Sequence, residues 1–381
     1  MKKTMTWKRL VILGIAVLLF GMLLYKCNDF QKATLASYKG QTYERGVVTK
    51  IVEDNLAEDG NRYGTQKVQV KMTSGTFKGQ KKEAINPSGT LFGADCKVGM
   101  KIIVIVNKSG DNAGFTVYSR DRTMSIYVFA FIFTLVVCLV GGKKGIYAVL
   151  SLVFAFICII WLMFPLMYRG ISPIFLTIIV AVLTTIITLG LLGGISEKTV
   201  AAILGTAIGV IIAAVAAIIF GKAAGITGFN VSDIEALNYV GQNTKIKIGE
   251  LLFAGIIISA LGAVMDVGMS IASTIQEIYE TDKMLSMKQL FLSGINVGRD
   301  MMGTMTNTLI FAYVGGAMTT LVLNYAYDLS YLQLANSYVI GIEIMQGLSG
   351  SLGVVLTVPV TAFIAALLIG RKGKNELTCG K

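Results

Sequence analysis

Residues 173–220 read PIFLTIIVAVLTTIITLGLLGGISEKTVAAILGTAIGVIIAAVAAIIF, and the only charged side chains among them are Glu197 and Lys198. A helix needs roughly 20 apolar residues to cross a bilayer, and the run on each side of this charged pair reaches that length. Because lipid offers no hydrogen bonds to an exposed backbone, such runs must be helical. The stretch therefore predicts two transmembrane helices joined by a short polar turn.

Further apolar runs raise the prediction to about eight transmembrane helices. They lie at residues 10–25, 124–140, 145–167, 249–265, 303–325 and 351–369. Glycine supports this interpretation, because 42 of the 381 residues are glycine, above the usual share of about 7%, and small residues allow helices to approach closely in lipid. The predicted fold class is an α-helical polytopic membrane protein with a small all-β domain.

That β domain is predicted between the first span and the second. Residues 1–27 form the cytoplasmic N-terminus and a first anchor, residues 28–122 the soluble domain, and residues 123–381 the multi-span domain. The soluble segment holds short runs rich in Val, Ile and Lys, separated by Gly, Asn and Ser, which favours a barrel of about five strands. The runs are Glu44–Val52, Lys67–Met72, Lys101–Val106 and Gly114–Ser119.

The distribution of basic residues predicts the orientation in the membrane. Basic side chains are concentrated at the start of the chain, in alternate loops and at its end, and cytoplasmic loops carry such an excess. The residues are Lys2, Lys3, Lys8, Arg9, Lys143, Lys144, Lys198, Lys283, Lys288, Arg299, Arg371, Lys372 and Lys374. We therefore expect both termini in the cytoplasm and residues 28–122 outside it. The formal charge of +12 reflects this topology and not a nucleic-acid partner, because no basic helix with stacking aromatics accompanies it.

Composition excludes several kinds of chemistry. The chain has no histidine, which removes Ser-His and Cys-His catalysis and His-based metal sites. Its five cysteines are far apart and form no CxxC pair. No G-x-x-x-x-G-K-[ST] loop is present, so a nucleotide-driven pump within this chain is disfavoured. The cofactor stays unknown, with a proton or Na⁺ as the candidate coupling ion.

Two polar segments are the best candidates for chemistry. Both place a carboxylate, a hydroxyl and another polar group along one helix face. They flank a predicted inner loop at residues 266–302, which holds either a helix at the cytoplasmic interface or an ordinary solvated connector. Oxygen ligands of this kind suit a sodium ion or a proton relay. The alternative is that both aspartates sit hydrated at the membrane edge while the hydroxyls bond back to helix carbonyls. The candidates are Asp266, Ser270 and Ser273 in the first segment, and Asn296, Arg299, Asp300, Thr304 and Asn307 in the second.

Glu343 is a third candidate. It is predicted to lie between the last two spans, in an outer segment that either re-enters the membrane or forms an amphipathic helix with Glu343 in water. Glu343 or Glu277 is expected to be a better partner for Arg299 than its neighbour Asp300, which points to a different helical face. In another outer loop, residues 221–248, Ser232 and Glu235 are spaced for a capping box, which predicts a short helix.

Segments 262–274 and 293–313 resemble the signature segments of the YibE/F-like family of bacterial membrane proteins. The second contains GINVGRDMMGTMTNTL at residues 294–309, and the order of anchor, outer β segment and multi-span region is also similar. The resemblance implies a bacterial cytoplasmic membrane protein and suggests a related membrane subunit or a second copy as partner. It carries over no catalytic residues.

Three function classes remain open on the sequence. The first is a transporter or export component with a polar intramembrane site. The second is an envelope-facing scaffold or sensor that displays residues 28–122. The third is an intramembrane enzyme that uses Asp266 and Asp300 as a carboxylate pair.

Overall fold

The computed structural model describes residues 7–35, 40–58, 63–87, 94–109, 112–231 and 233–379. The chain forms two compact units. One unit is Thr34–Val137, and the other combines Met1–Ala33 with Cys138–Lys381.

The first unit contains a closed barrel with the strand order β1-β2-β3-β5-β4. The strands are β1 Gln41–Glu53, β2 Thr65–Met72, β3 Lys81–Pro87, β4 Lys101–Ser109 and β5 Asn112–Arg120. β3 and β5 pair in parallel, and the other neighbours pair antiparallel. Alternate residues of β2 and β4, such as Val68, Val70, Ile102 and Val104, point inward and are completely buried. The predicted small β domain is therefore confirmed.

Two amides occupy the barrel interior beside this apolar core. Gln66 and Asn86 are almost completely buried, and Asn86 Nδ2 donates to Gln66 Oε1 at 2.9 Å. Asn86 also binds the backbone of Ala94, since its Nδ2 donates to the carbonyl and its Oδ1 accepts from the amide. Gln66 Nε2 donates to the Cys96 carbonyl at 3.2 Å. The pair therefore holds the segment Ala94–Cys96 against β2 and β3.

Asp121 joins the last strand to the helix that begins at Thr123. Its Oδ1 accepts from the Thr123 amide at 3.0 Å, and its Oδ2 lies 3.4 Å from Arg45 Nε. The hydrogen bonds from Thr123 lower the pKa of Asp121 below its ordinary value of 3.8, and Arg45 and Lys101 add to the effect. The carboxylate therefore stabilises this unit at neutral pH, and the stabilisation is lost as pH falls through the lowered pKa.

We expect Asp121→Asn to destabilise the barrel by about 0.5 kcal/mol at pH 7, because asparagine keeps the oxygen acceptor but lacks the charge that Arg45 and Lys101 stabilise. The buried Cys96 reports barrel opening in a variant whose other cysteines are replaced by alanine, through its rate of reaction with 4,4′-dithiodipyridine. The variant should react faster than its parent at pH 7, and the two rates should converge as pH falls below 3.8. An equal difference at both pH values would contradict this role for the Asp121 charge.

The remaining elements are helices. They are α1 Trp7–Asn28, α2 Thr123–Ile157, α3 Phe164–Tyr168, α4 Pro173–Gly193, α5 Glu197–Ala223, α6 Ile234–Asn243, α7 Leu251–Thr281, α8 Met287–Gly316, α9 Met318–Ala326, α10 Tyr331–Ala335 and α11 Tyr338–Cys379. A π-helical stretch at Cys158–Met163 joins α2 to α3.

Among the described residues, five helices are long and apolar enough to cross a membrane, or six if the bent pair α8 and α9 counts as one span. The predicted number of about eight is therefore not confirmed. Two predicted spans, 124–140 and 145–167, merge into the single helical stretch Thr123–Tyr168, in which Gly142 alone has a non-helical conformation. The predicted first span lies in α1, whose described apolar part, Val17–Asn28, is short.

The helices around the candidate residues extend further than predicted. Segment 266–302, predicted to hold an interfacial helix or a solvated connector, is largely helical, because α7 continues to Thr281 and α8 begins at Met287. The predicted span 303–325 is broken by a bend of 61° between α8 and α9. Glu343 lies within α11 rather than in a separate segment between spans. The short helix of the outer loop is present as α6, but Asp233 precedes it without a side-chain cap, and Ser232 lies outside the described residues.

Small residues set the packing at the centre of the second unit, where α11 contacts α5, α7 and α8. A Cβ atom built on Gly209 of α5 would lie 1.8 Å from Thr357 Oγ1 and 3.2 Å from the Gly353 carbonyl oxygen of α11. On α8, a Cβ atom built on Gly298 would lie 2.2 Å from Val358 Cγ1. The backbones therefore approach closely, as small-residue faces allow in membrane bundles.

Candidate functional site

The contacts of α11 give the depth of the candidate residues. Its apolar stretch Ser351–Ile369 spans about 30 Å at 1.5 Å per residue, the thickness of the hydrocarbon core. The middle of this stretch contacts Gly298 through Val358, and Gly268 through Thr357. Asp300 and Asp266 each lie two residues from those glycines, which is about 3 Å along the helix axis. Both carboxylates are therefore near the middle of the apolar stretch.

The polar side chains of α8 point away from the bundle. Its packing face consists of Leu290, Gly294, Gly298 and Leu309, all buried. The candidate residues on the opposite face are all exposed, namely Asn296, Arg299, Asp300, Thr304 and Asn307. Over residues 294–309 the helix thus has small and apolar residues facing the bundle and polar or charged residues facing outward, the reverse of a lipid-facing helix.

The polar residues of α7 also lie on its outer side. Asp266 is exposed, Ser270 and Ser273 are half-buried, and the core-facing positions Val264, Val267 and Ile271 are completely buried. Ser259, two turns before Asp266 on the same face, accepts a hydrogen bond from Tyr313 of α8 at 2.8 Å. This face of α7 therefore adjoins α8 at one end.

The outer face of α5 shows what a lipid-facing surface of this bundle looks like. Every residue of its outward stripe is aliphatic and at least 39% exposed. The stripe consists of Val200, Leu204, Ile208, Ile211, Val215 and Ile219. The outer faces of α7 and α8 differ from this stripe because they carry charged and polar side chains.

The charged candidates have no partners within the described part of the chain. Asp266, Asp300 and Arg299 form no ion pair or hydrogen bond there, so Arg299 meets neither Glu277 nor Glu343. Thr304 behaves as an ordinary helix residue, since its hydroxyl donates to the Met301 carbonyl. A charged side chain facing lipid at the bilayer centre costs about 3 kcal/mol on insertion scales. The outer face of α7 and α8 is therefore a surface that requires water or protein against it.

Glu343 lies apart from these residues. It borders a groove of about 230 Å³ formed where α9 bends away from α8. The other lining is almost wholly apolar, with Ile310, Tyr313 and Val314 of α8 opposite Ile340 and Ile344 of α11. Glu343 is half-buried, and the structure places it beside Tyr313 rather than beside Asp300.

Buried hydroxyl groups between helices were not found by sequence reasoning. Thr206, Thr357 and Thr361 are completely buried where α5, α7 and α11 meet. Thr357 Oγ1 donates to the Gly353 carbonyl at 2.7 Å, whereas the hydroxyls of Thr206 and Thr361 have no hydrogen-bond partner among the described residues. The spacing of Gly205 and Gly209 was the available signal, because these glycines face Thr361 and Thr357.

Comparison with known proteins identifies the membrane region. A family model described as YibE/F-like protein matches residues 129–371, which is well over half of the chain. The match includes α7, α8 and all the candidate residues, and it leaves out the barrel. No curated protein and no solved structure matches the chain.

Proposed function

The chain belongs to the YibE/F-like family, and from that premise we propose that it is a transport or export component of the bacterial cytoplasmic membrane. The observation that carries the proposal is the outer face of α7, where Asp266 stands unpaired among the described residues beside the middle of an apolar span. Unpaired ionisable groups at this depth are costly and typically mark ion or substrate pathways.

In this proposal, α7 supplies the route. Asp266 and the hydroxyls of Ser270 and Ser273 form a stripe of oxygen atoms along one helix face, suited to pass a proton or to hold Na⁺ as coupling ion. α8 packs beside α7 and forms part of the wall that closes the route against lipid. Glu343, in its apolar groove, would contact an apolar or cationic part of the substrate.

Orientation in the membrane is part of the proposal. The connector between α7 and α8 carries Lys283, and Lys288 follows in the first turn of α8, at the same end of the bundle as Gly370 of α11, where a built Cβ would lie 3.9 Å from Met287 Cβ. The basic residues 371, 372 and 374 follow directly. By the positive-inside rule we infer that this end faces the cytoplasm, and we propose that residues 28–122 lie on the outer side.

Water access to α7 tests the route. In a protein without native cysteines, we expect Ser270→Cys to react with a membrane-impermeant maleimide about tenfold faster than Ile208→Cys, because only thiols in contact with water ionise and react. Ser270 lies next to Ile271, which contacts Gly298 at the middle of the bundle, and Ile208 lies on the lipid-facing stripe of α5. Labelling of intact cells and of inverted vesicles identifies the open side.

Equal, slow labelling at both positions would contradict a water-filled route along α7. The second candidate, an envelope-facing scaffold or sensor, would then be favoured. Its support is that Thr34–Val137 is a compact unit with its own core.

A further inference from the structure

The polar face of α8 has the spacing of a helix-pairing seam. Asn296, Asp300, Gly303 and Asn307 follow one another at intervals of four, three and four residues, which is the heptad repeat that keeps one stripe facing a parallel partner helix. All four residues are exposed. At Gly303 a built Cβ atom would meet no atom within 4 Å, so the backbone is open to close approach at the centre of the stripe.

We propose that this α8 seam binds the α8 seam of a second copy of the same chain. Copies inserted in the same orientation and related by a two-fold axis along the membrane normal present parallel α8 helices to each other. Arg299 and Asp300 are consecutive, so each arginine lies about 1.5 Å in depth from the aspartate of the other copy. Two reciprocal ion pairs then form, and all four charges that lacked partners acquire them.

The other seam residues are also self-complementary. Asn296 and Asn307 each carry an amide with both donors and an acceptor, so an asparagine can pair with the same asparagine across a two-fold axis. Polar residues at such positions fix the register of paired helices. Gly303 lies between them, where a small residue allows the closest approach in lipid. Asn296, Gly303 and Asn307 therefore suit copies of themselves, whereas Asp300 pairs with the arginine of the other copy.

The interface does not depend on the transport proposal. It follows from the exposure, depth and spacing of the α8 residues, and the stripe on α7 stays outside the seam. Disulfide crosslinking measures the dimer and maleimide labelling measures the route. Each can therefore be found without the other.

Disulfide crosslinking in native membranes tests the seam. In a protein without native cysteines, Gly303→Cys should form a dimer on mild oxidation, because paired cysteine Cβ atoms across the axis come within the roughly 4 Å that a disulfide needs. Ile208→Cys, on the lipid-facing stripe of α5, is the control at similar depth and should form about tenfold less dimer, as expected for random collision rather than a polar helix contact.

Charge exchange identifies the partner as a second copy. With Gly303→Cys present, Arg299→Asp alone and Asp300→Arg alone should each lower the crosslinked fraction about tenfold, because each places four like charges in the seam. The double variant should restore it. Coexpression of the two single variants with different tags should give the mixed dimer, since an acidic seam then meets a basic one.

Crosslinking of Gly303→Cys no greater than that of Ile208→Cys would overturn the proposal. So would a crosslinked product whose mass shows a different protein, because the seam would then belong to another partner. Failure of the double variant to restore the dimer would also overturn it, provided that this variant inserts and migrates as its parent does.

Discussion

Gly209→Leu is expected to abolish the folded membrane unit. A Cβ atom at this position would lie 1.8 Å from Thr357 Oγ1, 2.8 Å from Val264 Cγ1 and 3.2 Å from the Gly353 carbonyl oxygen. The last of these atoms belongs to the backbone and cannot rotate away, so the side chain would force α5 from α11. Overpacking costs about 1–3 kcal/mol, and more where the contacting atoms cannot move aside as here, which is a large part of the stability of an ordinary domain.

The measurement is thermal unfolding in detergent, followed by size-exclusion chromatography of the fluorescently tagged chain. Gly209→Leu should give little or no monodisperse protein. Gly255→Leu on α7 is the matched control, because a Cβ atom there would meet nothing within 4 Å and leucine improves helix propensity over glycine by nearly 1 kcal/mol. A Gly209→Leu protein that melts with its parent would contradict the packing of α5 against α11.

The ends of the membrane helices show how much of this fold the sequence could predict. The apolar runs of α4 and α5 were predicted almost to their ends, because no charge interrupts them. The boundaries of α7 and α8 were not predicted, since Asp266, Arg299 and Asp300 fall in the middle of these helices. Hydropathy assigns such charges to a loop, and only tertiary contacts with α11 reveal their depth.

Strand β3 was missed for a comparable reason. Its inward positions are Ala84 and Asn86 instead of the Val and Ile of the other strands, so the alternation of apolar and polar residues that indicates a strand is weak. What places β3 in the barrel is hydrogen bonding to β2 and the amide pair inside. Neither feature can be read from the composition of a seven-residue run.

For the candidate site, the sequence could indicate which residues share a helix face but not where the face points. Helical periodicity groups Asn296, Asp300 and Asn307, and it applies equally to a face inside or outside the bundle. The direction is decided by Gly294 and Gly298, whose missing side chains admit Ile275 and Val358. Because the glycines face the bundle, the polar residues point outward. Hydropathy predicts a hydrated helix edge at these residues, whereas their depth in the bundle indicates a surface that contacts a partner.

Asn86→Leu is expected to destabilise the barrel by about 3 kcal/mol, because three groups in or beside the core each lose a hydrogen bond worth about 1 kcal/mol or more. Gln66 Oε1 loses a donor, and the amide and carbonyl of Ala94 lose the side chain that binds both. Leucine branches at the same carbon as asparagine and is somewhat larger, so it leaves no cavity, but it has no hydrogen-bonding atoms. The loss therefore reports unsatisfied polar groups rather than a cavity.

Cys96 provides the measurement, because it is completely buried next to this amide pair. In a variant with no other cysteine, a loss of 3 kcal/mol should speed the reaction of the Cys96 thiol about a hundredfold, since labelling follows the opening equilibrium. Thr49→Val is the control, because it removes a half-buried hydroxyl that donates to the Gln69 carbonyl, worth about 0.5 kcal/mol. If Asn86→Leu reacts no faster than Thr49→Val, the amide pair does not hold Ala94–Cys96 in place, and the closure of the barrel must rest on its apolar core alone.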